Sequence, residues 1–134
     1  SHRGQARFED ILSNGLVNPN RMFYWIEWAR AQYFHDIGLE IDPDSFVQEY
    51  LHMIVHTEVD FFGQLRFFDK YEVLSRIVYV KNSSVCMHQI IRNSKGEIIV
   101  YMSVIMVFVD YRTTTSKPIP EDLRKMINDW ENIT

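Results

Sequence analysis

The stretch from Gly15 to Gly38, GLVNPNRMFYWIEWARAQYFHDIG, constrains the chain more than any other. Met22, Ile26, Ala29, Tyr33 and Ile37 recur at helical spacing, and Phe23, Trp25, Trp28 and Phe34 widen that stripe well beyond a narrow seam. Asn18 predicts the N-cap, because its side chain can accept a hydrogen bond from a first-turn amide that has no partner within the helix. Pro19 follows at the first helical position, where a missing N–H costs nothing, and Gly38 stops the helix by tolerating a left-handed conformation. A helix that is apolar over most of its circumference needs cover on several sides.

The remaining chain supplies the cover as strands. Gln5 to Glu9 reads as a short first strand, followed by a loop through Asn14-Gly15. Beyond the helix, Leu39 to Asp42 is a connector, and Asp42-Pro43 predicts a short helix through about Tyr50, with Asp44 and Glu49 as solvated charges. From His52 the period changes to two. Met53, Val55, Thr57, Val59 and Phe61 face one way, and His56, Glu58 and Asp60 the other, until Gly63 ends or bends the strand. Strands follow at Tyr71–Val80, Ser84–Arg92 and Glu97–Tyr111. Asn93-Ser94-Lys95-Gly96 closes the hairpin between the last two. The apolar centre of the last strand predicts burial on both faces. Thr113 to Ser116 reads as a surface loop, and Pro118 and Pro120 introduce a terminal helix from Glu121 to about Glu131. No repeat, linker or low-complexity run interrupts this order. The expectation is one α+β domain over residues 1–134, an antiparallel sheet wrapped around one long central helix. Such a sheet leaves edges, and pairing with a second subunit is a common protection.

Composition narrows the function classes. The chain of 134 residues carries a net charge of −4, which offers no basic field for nucleic acid or an anionic membrane surface. Its one cysteine, Cys86, excludes an internal disulfide framework and fits a reducing cytoplasm. The opening SHRGQARFED is polar and is not read as a signal peptide; its first residues read as a tag remnant or a truncated start. The most membrane-like run, Ile98 to Val109, has about twelve residues where a spanning helix needs about 20.

Several segments, taken in order, resemble the hotdog-fold acyl-CoA thioesterases, and most of all the 4-hydroxybenzoyl-CoA thioesterase-like family. They are Arg7-Phe8-Glu9-Asp10, Asn14-Gly15-x-Val17-Asn18, Trp25-Ile26-Glu27-x-Ala29-Arg30 and Ile37-Gly38-Leu39. Later come Val59-Asp60-Phe61, Arg66-Phe67-x-Asp69, Gly96-Glu97, Val107-Phe108-Val109-Asp110 and Lys117-Pro118-Ile119-Pro120-Glu121. The resemblance implies a hotdog fold, homodimers or homotetramers with a sheet continuous across the dimer, and an acyl-CoA or acyl-carrier-protein thioester as substrate. It implies no cofactor. It also implies a site at the dimer interface needing a carboxylate in a D-x-D-x-x-G pattern and a backbone N–H near the start of the central helix.

This chain departs from that pattern. Asp10 keeps the first acid, but Leu12 occupies the catalytic position, Leu16 stands where relatives often carry histidine, and the amide-donor position falls on Pro19, which has no N–H. A register shifted by one residue would offer the Asn20 or Arg21 amide but no carboxylate. The candidate substitutes are Glu27, Asp10 and Asn14. Glu27 reads either as an acyl-pocket acid or as the i,i+3 partner of Arg30. Asp10 reads either as a base from a shifted loop or as a loop-ordering acceptor, and Asn14 could orient a water without deprotonating it. Leu12, Leu16, Pro19 and Phe23 would line the acyl site. Arg66 and Lys81, with Arg92 and Arg112, read either as contacts for coenzyme phosphates or as solvated charges. His52 and His56 lie on a strand without a third ligand, so no metal site is expected. Ser83-Ser84 has no His and Asp in context for a triad, and Cys86 reads as a small buried side chain. Two function classes follow: a thioester hydrolase with an atypical site, or a non-hydrolytic acyl-thioester-binding or accessory subunit.

Overall fold

A computed structural model describes residues 2–40 and 48–132. Its elements are β1 (His2–Gln5), a 3-10 turn (Phe8–Asp10), α1 (Pro19–Asp36), β2 (His52–Phe61), β3 (Lys70–Val80), β4 (Ser84–Asn93), β5 (Ile98–Phe108) and α2 (Glu121–Glu131). The strands form one five-stranded antiparallel sheet in the order β1-β3-β4-β5-β2, with β1 and β3 in the register Arg3↔Glu72 and Gln5↔Lys70. The helix cap expected at Asp42-Pro43 lies outside the described residues; Gln48–Tyr50 are helical. No helix among the described residues is long and apolar enough to cross a membrane.

Contacts group the described residues into two compact units. One draws on Ser1–Tyr33, Val59–Ser75 and Gln89–Met102, the other on Phe34–Glu58, Arg76–His88 and Ser103–Thr134. In the first, α1 lies on the sheet. Trp25 stacks on Tyr71 of β3 with ring centroids 3.8 Å apart and planes 9° from parallel. Gln89, fully buried on β4, donates from its amide nitrogen to the Ile26 carbonyl (3.0 Å) and to the Ser75 hydroxyl (3.0 Å). In the second unit, α2 buries Leu123 and Ile127, the Tyr50 hydroxyl donates to Asp122, and Glu131 accepts from the Ile77 amide.

The helix cap and stop stand where the sequence puts them. The Asn18 side-chain oxygen accepts from the Asn20 amide (3.0 Å), and Gly38 has φ +113°. Met22, Ile26, Ala29, Tyr33 and Ile37 are all buried, joined by Trp25 and Phe34. The helix is less enclosed than its composition suggests, since Tyr24 and Trp28 are each 60% exposed with Glu27 between them.

Three strand expectations need correction. The first strand is His2–Gln5, because the Asp10 carboxylate accepts the Arg7 amide and folds the next residues into a turn. The last strand ends at Phe108, because Asp110 accepts from the Arg112 and Thr113 amides and starts another turn. Its centre alternates buried with half-buried residues instead of burying both faces. Beyond these, β2 stands at the sheet edge with Met53 to Glu58 all exposed, so the two faces read for it do not differ in burial.

Candidate active site

The entrance to α1 is a small hairpin. Ile11 bridges Val17, the Leu12 amide donates to the Leu16 carbonyl (2.8 Å), and the Gly15 amide donates back to Leu12 (3.0 Å). Gly15 sits at φ +81°, a conformation that a side chain would strain. The Asn14 side chain orders the tip by accepting the Leu16 amide (3.1 Å). Leu16 also bridges Arg66, and the Val17 amide donates to the Leu65 carbonyl, so the loop is held on the segment before β3.

Asp10 is buried beneath this hairpin. One carboxylate oxygen accepts from the Arg7 amide (2.8 Å) and the other from Arg21 Nε (2.9 Å). Arg21 in turn lies over the Tyr24 ring. Burial and two donors leave Asp10 engaged in fixing the loop to the first turn of the helix. Leu12, 43% exposed, places no polar group at the hairpin tip.

The amides at the helix start are occupied in sequence. The Asn18 amide donates to the Asp10 carbonyl (2.8 Å), Pro19 has none, the Asn20 amide goes to the Asn18 side chain, and the Arg21 amide to the Asn18 carbonyl (2.9 Å). The two donors that a shifted register would offer are therefore taken by the cap itself.

Glu27 lies one to two turns further along. Its exposed carboxylate shares a shallow depression of about 360 Å³ with Asn20, Phe23 and Tyr24. Phe23 meets Phe61 of β2 edge-to-face at 6.3 Å. The i,i+3 ion pair with Arg30 does not form: Arg30 Nε donates to the Gln89 side-chain oxygen (3.3 Å), and its Nη2 approaches the Met102 sulfur (4.0 Å). Burial pulls the Arg30 pKa below its ordinary value, and the Glu27 charge acts in the opposite sense. Glu27 makes no ion pair among the described residues.

The first unit thus brings Asp10, Leu12, Asn14, Leu16, Pro19 and Arg66 to the hairpin, and Phe23 and Glu27 to the helix depression. Lys81 belongs to the second unit, exposed beside the Tyr79 ring. The engagement of Arg21 and Gln89 was not read from sequence; each is a single polar residue whose partner is distant along the chain. Cys86 is buried, with its sulfur 3.5 Å from the Ser103 hydroxyl. His52 packs against Phe108 and Phe34, His56 pairs with Glu58, and no three potential metal ligands converge among the described residues.

Residues 6–127 match the model of the thioesterase-like superfamily. The chain belongs to that superfamily, and its membership supports thioester hydrolysis as the general class of activity. Its α+β architecture is the hotdog fold of solved thioesterases. A thioesterase from Thermus thermophilus, solved with coenzyme A and zinc, is 26% identical, with TM-score 0.80 over 97% of this chain and 93% of that one. A 1,4-dihydroxy-2-naphthoyl-CoA thioesterase from Synechocystis is 18% identical, with TM-score 0.85 over 96% and 94%. A Staphylococcus aureus protein solved with CoA is 13% identical, with TM-score 0.88 over 99% and 84%. No curated protein matches the chain.

Proposed function

We propose that residues 1–134 act as one thioesterase-like domain that hydrolyses acyl-CoA or acyl-carrier-protein thioesters in a reducing cytoplasm, with Glu27 as the base that activates water. The observation that carries this reading is the Glu27 carboxylate, exposed and without an ion pair among the described residues, in a depression walled by Phe23 and Tyr24. A carboxylate that forms no direct ion pair can accept a proton from water, and the aromatic wall suits an acyl group. Leu12, Leu16 and Pro19 contribute apolar surface at the entrance, and Asn14 a polar atom. Arg66, in the same unit, contributes positive charge for coenzyme or carrier phosphates. The working form is a homodimer or homotetramer, since the exposed Met53, Ile54 and Val55 of the edge strand suit a second copy.

The test is free-thiol release from a panel of acyl-CoA and acyl-carrier-protein substrates by wild type and Glu27→Gln. Turnover in the wild type that falls at least a hundredfold in a folded Glu27→Gln is expected, as for loss of a general base. Unchanged turnover in that variant removes Glu27 from the chemistry. A second reading, a non-hydrolytic acyl-thioester-binding subunit, is favoured by the occupied amides at the α1 entrance. Saturable acyl-CoA binding without thiol release would select it.

A further inference from the structure

A further depression of the first unit, of about 240 Å³, lies between β1, the 3-10 turn, the first turns of α1 and the start of β3. Trp25 and Tyr71 line it, and it shares no residue with the Glu27 depression. Trp25 is 8% exposed and Tyr71 7%, so both side chains are more than nine-tenths buried. Buried tyrosine hydroxyls and indole N–H groups usually find a hydrogen-bond partner, because an unpaired one forfeits its bonds to water. Neither the Tyr71 hydroxyl nor Trp25 Nε1 has one among the described residues. No side-chain nitrogen or oxygen sealed from solvent lacks a partner among those residues, so both atoms keep an opening. A Cβ on Gly4 would collide with the Tyr71 hydroxyl, so the glycine lets β1 pass close to that group.

The charges around these two donors favour an anion. Arg3, Arg7 and Arg21 line the depression against Glu9 and Asp10, an excess of one positive charge. Asp10 is already engaged by the Arg7 amide and Arg21 Nε, which leaves the Arg21 Nη groups for another acceptor. Burial first, and then the Asp10 charge, pushes the Tyr71 hydroxyl up to about 12, so at neutral pH it keeps its proton and can donate. Indole and guanidinium nitrogens only donate, so an occupant has to bring the acceptors. A carboxylate brings two in one plane, the geometry that a guanidinium fork matches. One excess charge suits a monoanion, and a volume below the ~300 Å³ at which drug-sized sites begin suits a small one.

We propose that this depression binds a small monocarboxylate, with the Tyr71 hydroxyl and the Trp25 indole N–H as neutral donors and Arg21 as the cation. The proposal does not rest on the thioester reading, because the two depressions share no residue and the test uses no thioester.

The experiment is an NMR titration of the full chain with sodium acetate and with sodium benzoate, each compared with a matched sodium chloride titration, for wild type and Tyr71→Phe. The chain has three tryptophans, and the indole N–H signal that Trp25→Phe removes is the one followed. The Tyr71 hydroxyl has no partner in the folded chain, so Tyr71→Phe removes no hydrogen bond, keeps a ring against Trp25 and should melt with the wild type. A saturable shift of the Trp25 signal with either acid, with affinity about tenfold weaker in Tyr71→Phe, is expected. Tighter binding of benzoate than of acetate shows that the apolar body is held as well, and binding of either supports the shared carboxylate chemistry. Absence of a saturable shift up to about 50 mM of both acids overturns the proposal. So does unchanged affinity in a folded Tyr71→Phe, an equal response to chloride, or a tighter response to inorganic phosphate than to either acid.

Discussion

Asp10→Ala separates a structural acid from a chemical one. In the folded chain the carboxylate is buried, capping the Arg7 amide at 2.8 Å and pairing with Arg21 Nε at 2.9 Å. Removing it leaves the Arg7 N–H without its acceptor, and a hydrogen bond to a charged group is worth about 1.5–3 kcal/mol. The Arg21 side chain is 38% exposed, so solvent screening keeps its share to less than about 1 kcal/mol. The expected loss is about 2–3 kcal/mol, or roughly 10 °C in melting temperature for a domain of this size. Asp10→Asn retains one accepting oxygen and should lose about half as much. Urea unfolding, compared at one protein concentration because association shifts apparent stability, measures both variants. A change below about 0.5 kcal/mol in Asp10→Ala would refute the anchoring role. Loss of thioester hydrolysis with stability intact would place Asp10 in the chemistry instead.

Leu12→Asp should raise thiol release if the missing acid is limiting; a folded variant with no gain shifts the limitation to the occupied amides at the helix start. Glu72→Gln tests by pH the carboxylate that accepts from Arg3 Nε (2.9 Å) and Arg92 Nε (2.8 Å). The folded carboxyl titrates below its unfolded value of about 4.3, so its stabilisation is complete above that pH and is lost as pH falls through the folded value. Wild type should therefore exceed Glu72→Gln in urea midpoint at pH 7, with the difference closing as the pH drops below about 4; a constant difference would show that charge is not involved. Gln89→Leu leaves the Ile26 carbonyl without this side-chain donor and removes the acceptor of Arg30 Nε, for an expected cost of about 1–3 kcal/mol by chemical denaturation. A neutral result would mean that apolar packing offsets the lost network.

Local chemistry made much of the fold legible. The cap at Asn18, the stop at Gly38 and the hairpin at Asn93–Gly96 each depend on residues within one turn of one another, and each lies where those residues require. The errors came where a side chain redirects the backbone. Asp10 and Asp110 are both acids that accept main-chain amides and turn the chain out of an extended conformation, and neither has a periodic signature. The exposed outer face of α1 was also illegible, because composition counts Tyr24 and Trp28 as core candidates whatever lies beside them. Long-range polar partners were hidden for the same reason: Arg30 had Glu27 within one helical turn, yet its nitrogen bonds Gln89, fifty-nine residues away.

The α1 entrance joins folding and chemistry in one set of atoms. Asn18 stabilises the helix by using its side chain and its carbonyl to satisfy the two amides that follow Pro19, while its own amide is taken by Asp10. An oxyanion site would need at least one of those donors free and aimed at developing negative charge. The arrangement that makes the helix start well capped therefore leaves none of these three amides free to stabilise a tetrahedral intermediate there, and Leu12 places no carboxylate at the hairpin. Glu27 escapes both losses, because it stands beyond the cap and its nearest helical cation has another partner. On the reading proposed above, proton transfer falls to Glu27 on the helix, and oxyanion donors would come from outside the first turn of α1.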